Sequence, residues 1–310
     1  MFVYAGETLA RYGFGEGHPL GPDRFGAFWQ AFQQSSLPEL CTVKAPVQGT
    51  AADALLFHTA EHVQRVEQLS RQGTGMLDCD TPAFPGIFET ALVVVGTVLD
   101  AVNEILLGHT NRAFVPIAGL HHASRGSSAG FCVFNDCGIA IEALRQRHQI
   151  RRILYIDIDA HHADGVFYAF DQDPDLLFVD VHEDGRYLYP GTGSASECGS
   201  GPASGTKLNI PMPPGATDEI FFNYWPKIAD FMQRHQPEFI ILQCGADCVA
   251  GDPLTHLRYS SQVHYRTAEK IREYAETVCQ GRVLALGGGG YNRDNMADAW
   301  LQVIRGLLAE

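Results

Sequence analysis

Residues 151–165 read RRILYIDIDAHHADG. A short apolar run, 153–156, gives way to three aspartates and two histidines packed into the nine residues 157–165. Side chains alternate between faces along an extended chain, so Asp157, Asp159 and His161 are expected to point the same way. Carboxylates crowded with imidazoles need a cation to hold or a proton to transfer.

The same design recurs on both sides of this stretch. FVPIAG (114–119) runs into His121 and His122, LLFVDV (176–181) into His182, FIILQCGA (239–246) into Asp247, and VLAL (283–286) into GGGGY with Tyr291. Between these β-rich runs lie helical patterns at 87–107, at 134–148, briefly near Gly165, and at 294–308. Strands alternating with helices predict βαβ units and a parallel sheet. Parallel strands bring their carboxyl ends to one edge, where open α/β sheets bind ligands, so five loaded endings imply one site. The expected fold is α/β: a single-domain, three-layer architecture with a mostly parallel sheet flanked by helices. One catalytic domain is expected over 1–310, with GTGSASECGSGPASG from Gly191 as a long surface loop.

Composition narrows the function classes. With 45% hydrophobic and 19% charged residues, the 310-residue chain is globular and shows no repeat or charge block. Its formal net charge of −14, without a basic stripe, disfavours nucleic acid as a partner and suits a cationic substrate. The apolar stretch ALVVVGTVLDAV is broken by Asp100 and too short to span a bilayer. The amino terminus lacks a basic start followed by an apolar core, so no secretory signal and no membrane partner are expected, and a cytoplasmic location is. Eight cysteines without a CxxC pair read as reduced, mostly buried thiols, and Cys244 and Cys248 read as packing rather than metal ligands.

Nine blocks carry a resemblance: GEGHPLGPDR from Gly15, FHTAEHV from Phe57, DTPAFPGIF from Asp80, GLHHA from Gly119, SSAGFCVFND from Ser127, DIDAHHADGV from Asp157, VHEDGRYLYPGTG from Val181, CGADCVAGDPL from Cys244 and GGGGYN from Gly287. In this order they resemble the histone deacetylase superfamily, most closely its bacterial acetoin-utilisation type deacetylases. The arginase/deacetylase-like fold is thereby implied.

The resemblance implies a Zn²⁺ ion held by Asp159, His161 and Asp247, two carboxylates and one imidazole that leave positions open for water and a substrate carbonyl. An oxygen-rich set also admits Fe²⁺. His122, paired with Asp164, is implied as the base that takes the water's proton and passes it to the leaving amine, and His121 is implied to pair with Asp157. Adjacent residues of a strand face opposite ways, so both histidines serve one site only if the chain turns there. Tyr291, after four glycines, is implied as donor to the oxyanion. Gly130, Phe131, Tyr189, Leu254 and Gly289 are implied around the acyl-lysine, although Tyr189 stands where phenylalanine is more usual and Leu120 where many eukaryotic relatives carry tryptophan. Asp80 is implied at the rim, where Glu183 and Asp184 are also expected, and Arg24 near an acetate exit. Backbone carbonyls of Asp157, Asp159, His161, Asp180 and Val181 match a structural K⁺ site.

The implied reaction is removal of the acetyl group from the side-chain nitrogen of lysine in an acetylated protein or peptide. Alternatives are an acetylated polyamine as substrate, an arginase-type ureohydrolase, disfavoured by the GLHH and GGGGY blocks, and a catalytically silent scaffold that holds acetylated partners. The oligomeric state is left open.

Overall fold

A computed structural model describes residues 1–15 and 17–308; Glu16, in the first of the nine blocks, lies outside them. Among the described residues there are ten strands: β1 (Phe2–Tyr4), β2 (Thr42–Lys44), β3 (Met76–Asp78), β4 (Thr81–Pro82), β5 (Arg112–Val115), β6 (Ile153–Asp157), β7 (Leu176–Glu183), β8 (Lys207–Met212), β9 (Phe239–Gln243) and β10 (Val283–Leu286). Eight of them form one sheet in the order β2-β1-β5-β10-β9-β6-β7-β8, and every pairing in it is parallel. The remaining two, β3 and β4, make a small antiparallel hairpin.

Helices flank the sheet in two packed groups. Helix Arg293–Leu308 lies against both Gln262–Val278 and Asp23–Gln33; Ile87–Leu106 lies against Ala60–Gln72 and Asp136–His148. The Ile87–Leu106 helix is apolar on almost every side and buried along most of its length, as an interior helix must be. Its Gly96 lets the loop before it pass: a Cβ there would sit 2.2 Å from the Gly49 nitrogen. Among the described residues, no helix is long and apolar enough to cross a membrane.

The five strands expected to end in chemistry are neighbours, β5-β10-β9-β6-β7. Four of them end level, with Val115 opposite Leu286, Leu286 opposite Gln243, and Gln243 opposite Asp157, while β7 pairs Asp157 at Asp180 and runs on to Glu183. The loops that follow therefore emerge side by side.

Two local expectations change. Extended structure stops at Asp157, and 158–163 form a loop, so simple alternation does not govern the cluster. Likewise β5 ends at Val115, before Pro116, which has no N–H to offer a ladder. The Gly/Ser-rich stretch from Gly191 is a loop between β7 and β8 with one short 3₁₀ turn at Gly201–Ala203. The eight cysteines form no disulfide, and five of them are buried, including Cys244 and Cys248.

Candidate active site

The loops after β6 and β9 bring Asp159, His161 and Asp247 together. One donor atom from each lies within 4.8 Å of the others. His161 Nδ1 is 3.1 Å from Asp159 Oδ1 and 2.9 Å from Asp247 Oδ2. The backbone N–H groups of His161, Gly289 and Ala160 donate to Asp159 Oδ1, Asp159 Oδ2 and Asp247 Oδ1 at 2.9, 2.8 and 2.9 Å, which fixes both carboxylates. Two glycines make room for them: a Cβ on Gly245 would lie 2.0 Å from Asp159 Oδ2, and one on Gly289 would lie 2.3 Å from Asp247 Oδ2.

This donor set fits a divalent metal. The three residues are at most 8% exposed, and two buried carboxylates need a compensating charge. The buried Arg24 guanidinium does not pair with them directly: its Nε and Nη2 donate to the Gly290 and Gly288 carbonyls at 2.9 and 2.6 Å. A two-oxygen, one-nitrogen set with open positions matches the catalytic kind of zinc site.

Asp157 does not join that cluster. Its Oδ2 faces His121 Nδ1 at 2.8 Å and accepts from the Tyr155 hydroxyl at 2.5 Å. His122 Nδ1 lies 2.7 Å from Asp164 Oδ1, and the two Nε2 atoms of the histidine pair are 3.1 Å apart. Both rings reach one site because the chain turns: Gly119 has φ +82°, and the Asp136 carboxylate accepts the Gly119 and Leu120 N–H groups at 2.8 and 3.0 Å. Asn135 then donates its side-chain amide to the carbonyls of His121 and Ala123.

The two histidines are tuned apart. Burial pulls both pKa values down, but at His121 the Asp157 and Asp159 carboxylates overcome it and push the value up to about 10. At His122 burial, reinforced by the charge of His121, prevails over Asp164 and leaves the pKa below its ordinary value. One imidazole is thus a held cation and its neighbour a free base near neutral pH.

Tyr291 lines the same cleft as His122 and His161. Gly288 and Gly290 adopt φ +74° and +124°, and a Cβ on Gly287 would collide with the Pro116 carbonyl oxygen at 1.9 Å, so the glycine run is required by the turn. Burial, then the Asp247 and Asp159 carboxylates, raise the Tyr291 phenol well above its ordinary pKa, so it stays protonated and able to donate.

A cleft of about 240 Å³ opens above these groups, lined by Asp80, His122, Gly130, Phe131, His161, Leu188, Tyr189, Leu254 and Tyr291. Gly289 lies deeper, on a small cavity it shares with Leu20, Leu120 and Cys132. Asp80, His122, Gly130, Phe131, Tyr189, Leu254 and Tyr291 thus share one cleft with His161. Phe131 adopts φ +67°, in the left-handed region rare for a residue with a side chain. Tyr12 donates to its carbonyl at 2.9 Å and Thr81 Oγ1 accepts its N–H at 3.1 Å, two contacts that hold it there.

Some expectations fail. Glu183 is no rim residue: it is 1% exposed, and its carboxylate holds His256 through Nδ1 at 2.7 Å and the backbone N–H at 2.8 Å. Asp184 is taken by Arg186. His182, the fifth strand ending, lies behind the site on Asp180 and the Gly193 carbonyl. Arg24, implied near an acetate exit, is no such failure: it is buried, with its guanidinium over the Trp300 and Tyr291 rings. Sequence reading also missed Gln243, the buried last residue of β9, whose side-chain amide donates to the Gly119 carbonyl and Asp159 Oδ2 and whose Oε1 accepts the Gly245 N–H.

The model of the histone deacetylase domain matches residues 18–307. The acetoin utilization protein AcuC of Bacillus subtilis is 33% identical over 301 residues, covering 94% of this chain and 77% of that protein. Histone deacetylase clr6 of Schizosaccharomyces pombe is 32% identical over 98% of this chain and 75% of its own length. The crystal structure of the HDA15 HD domain superposes with a TM-score of 0.89 at 26% identity, covering all of this chain and 91% of that one. With five of the nine blocks at the ends of neighbouring strands and these relatives spanning nearly the whole length, the chain belongs to the histone deacetylase family and is a hydrolase of the deacetylase type.

Proposed function

We propose that this protein is a zinc-dependent deacetylase that cleaves the acetyl amide of Nε-acetyl-lysine in proteins, releasing acetate and free lysine, with 1–310 acting as one catalytic domain. The observation that carries the reading is the convergence on one cleft of His161 from the ligand cluster, of His122, paired with Asp164 and beside His121, and of the Tyr291 phenol. Asp159, His161 and Asp247 hold the metal, Fe²⁺ being the second candidate. When bound, it supplies a Lewis acid that activates water and polarises the amide carbonyl.

The chain's own residues do the rest. His122 Nε2 takes a proton from the attacking water and returns it to the leaving nitrogen, while Asp164 fixes its Nδ1–H. His121, charged and locked on Asp157, favours the neutral form of His122 and adds positive charge beside the reacting carbonyl. Tyr291 donates to the oxygen that becomes negative. Gly130, Phe131, Tyr189 and Leu254 line the slot for the lysine methylenes, with Gly289 at its base.

Asp80 favours a peptide substrate, because a rim carboxylate can accept backbone amides. An acetylated polyamine suits the same chemistry and is the second reading. The buried Asp180 and its neighbour Val181 support a structural K⁺ on nearby carbonyls, and eight cysteines without a disulfide suit the cytoplasm. Acetate release from an acetyl-lysine peptide, measured before and after chelation and on return of Zn²⁺ or Fe²⁺, tests the proposal. A metal-loaded protein that releases no acetate from any acetylated amine would leave the scaffold reading in its place.

A further inference from the structure

We infer that Asp252 is a positioning residue for the reaction: its one carboxylate sets both the oxyanion donor Tyr291 and the wall residue Leu254 against the ligand cluster. The inference rests on the reading of Tyr291 just given.

Asp252 belongs to the loop after β9 that also carries Asp247. It is only 8% exposed, and its two oxygens face different segments: Oδ1 accepts the Leu254 N–H at 2.9 Å and Oδ2 accepts the Tyr291 N–H at 2.8 Å. Leu254 and Tyr291 both line the cleft. The four residues before Tyr291 are glycines, so no side chain there restrains the backbone that launches the phenol. Restraint comes from outside the loop, on two sides. Arg24 holds the carbonyls of Gly288 and Gly290 and lies 5.9 Å from the Tyr291 ring centre. Asp252 holds the amide of Tyr291 itself.

The same loop is tied to the metal ligands. Ala246 N–H donates to the Gly289 carbonyl at 3.0 Å, Asn295 donates to the Ala250 carbonyl at 3.0 Å, and the Thr255 hydroxyl donates to the Asp247 carbonyl. Asp252 is thus the charged link in a short path from ligand loop to phenol. A donor to a developing oxyanion works only at the right distance, and a displacement near 1 Å costs on the order of 10²-fold in rate.

The test is a double-mutant cycle on the metal-loaded enzyme with an acetyl-lysine peptide. Asp252→Asn keeps the size of the side chain but turns an N–H toward one of the two amides it must accept. Alone it is expected to lower kcat on the order of 10²-fold while KM moves less than about threefold. In a Tyr291→Phe background it should lower kcat less than about threefold further, because the group it positions is gone. Asp252→Ser, which leaves one short acceptor, should show the same dependence on Tyr291. Equal losses with and without the phenol would overturn the inference and leave Asp252 a folding residue, as would failure of both variants to fold. Wild-type kcat in Tyr291→Phe alone would instead remove the oxyanion reading, and this inference with it.

Discussion

On the floor of the site Asp159, His161 and Asp247 are at most 8% exposed, and three of the four carboxylate oxygens already accept a backbone N–H. At the mouth Tyr189 is 43% exposed, and the lining comes from the β3–β4 turn, from 130–131, from 188–189 and from Leu254. The floor grows from adjacent strands whose ends are level, so the register of the sheet sets its geometry. The mouth is assembled from separate loops, each held by its own few hydrogen bonds. A floor of this kind tolerates little change, whereas a mouth of this kind can be retuned one residue at a time.

The comparison breaks first at the floor if any ligand proves dispensable. On the proposed ligand set, Asp247→Ala removes one of three protein ligands and strands the Ala160 N–H, so metal retention should collapse and activity should fall with it. Metal analysis of the purified variant decides: full occupancy would mean that Asp247 is not a ligand. Next in size is His122→Phe, which leaves the ligands in place and removes the proton carrier. Its kcat should drop about 10²- to 10⁴-fold with metal content unchanged. A variant near wild-type rate would transfer the base role to His121 and undo the division of labour between the two imidazoles.

A third prediction probes the scaffold beneath the floor. His58 Nε2 accepts the Asn135 N–H at 2.8 Å and Nδ1 faces the Arg125 carbonyl, so the neutral ring helps hold the turn that carries both catalytic histidines. Burial, with the neighbouring His62, pushes its pKa down to about 3. The folded protein therefore keeps this ring neutral while the unfolded chain protonates it near pH 6.5. Its contribution is complete above that pH and is lost as pH falls toward 3, by about 1.4 kcal/mol per pH unit. Urea melts at pH 7, 5.5 and 4.5 should show a shallower acid loss in His58→Gln than in wild type, by about one proton. Parallel slopes would show that His58 is not neutral in the fold.

The same contrast explains what could be read in the sequence. Asp159, His161, Asp247, the two histidine–aspartate pairs and Tyr291 stood at the ends of apolar β runs, and a parallel sheet has to gather such ends. Strands β1 and β2 were missed because three residues carry no period. Strand β8 was missed because Lys207, Asn209 and Pro211 break its apolar run, and an edge position is what permits its proline. Gln243, Asp136 and Asp252 escaped for another reason: an amide or carboxylate that accepts a backbone N–H looks in sequence like any turn residue. Glu183 misled in the opposite direction, because a glutamate beside an aspartate suggests a surface and only the fold shows it buried under His256.

The smallest expected effect lies at the mouth and bears on the substrate. Asp80 is half-buried at the hairpin turn; its Oδ1 accepts the Thr81 hydroxyl at 2.9 Å and its carbonyl meets His18 Nε2 at 3.0 Å. Thr81 Oγ1 also accepts the Phe131 N–H, so the carboxylate sits one hydrogen bond from the wall of the slot. If it accepts backbone amides of a bound peptide, Asp80→Ala loses charge-assisted bonds of about 1.5–3 kcal/mol, a drop of roughly tenfold or more in kcat/KM. A small acetylated polyamine has no such amides and should lose much less. The competing role is local: Asp80 as a brace for Thr81, whose loss would shift Phe131 and slow both substrates alike. Measuring an acetyl-lysine peptide and an acetylated polyamine on wild type and Asp80→Ala separates the two. A loss confined to the peptide marks the mouth as a reader of polypeptide; equal losses make Asp80 part of the wall and remove the main reason to prefer protein over polyamine.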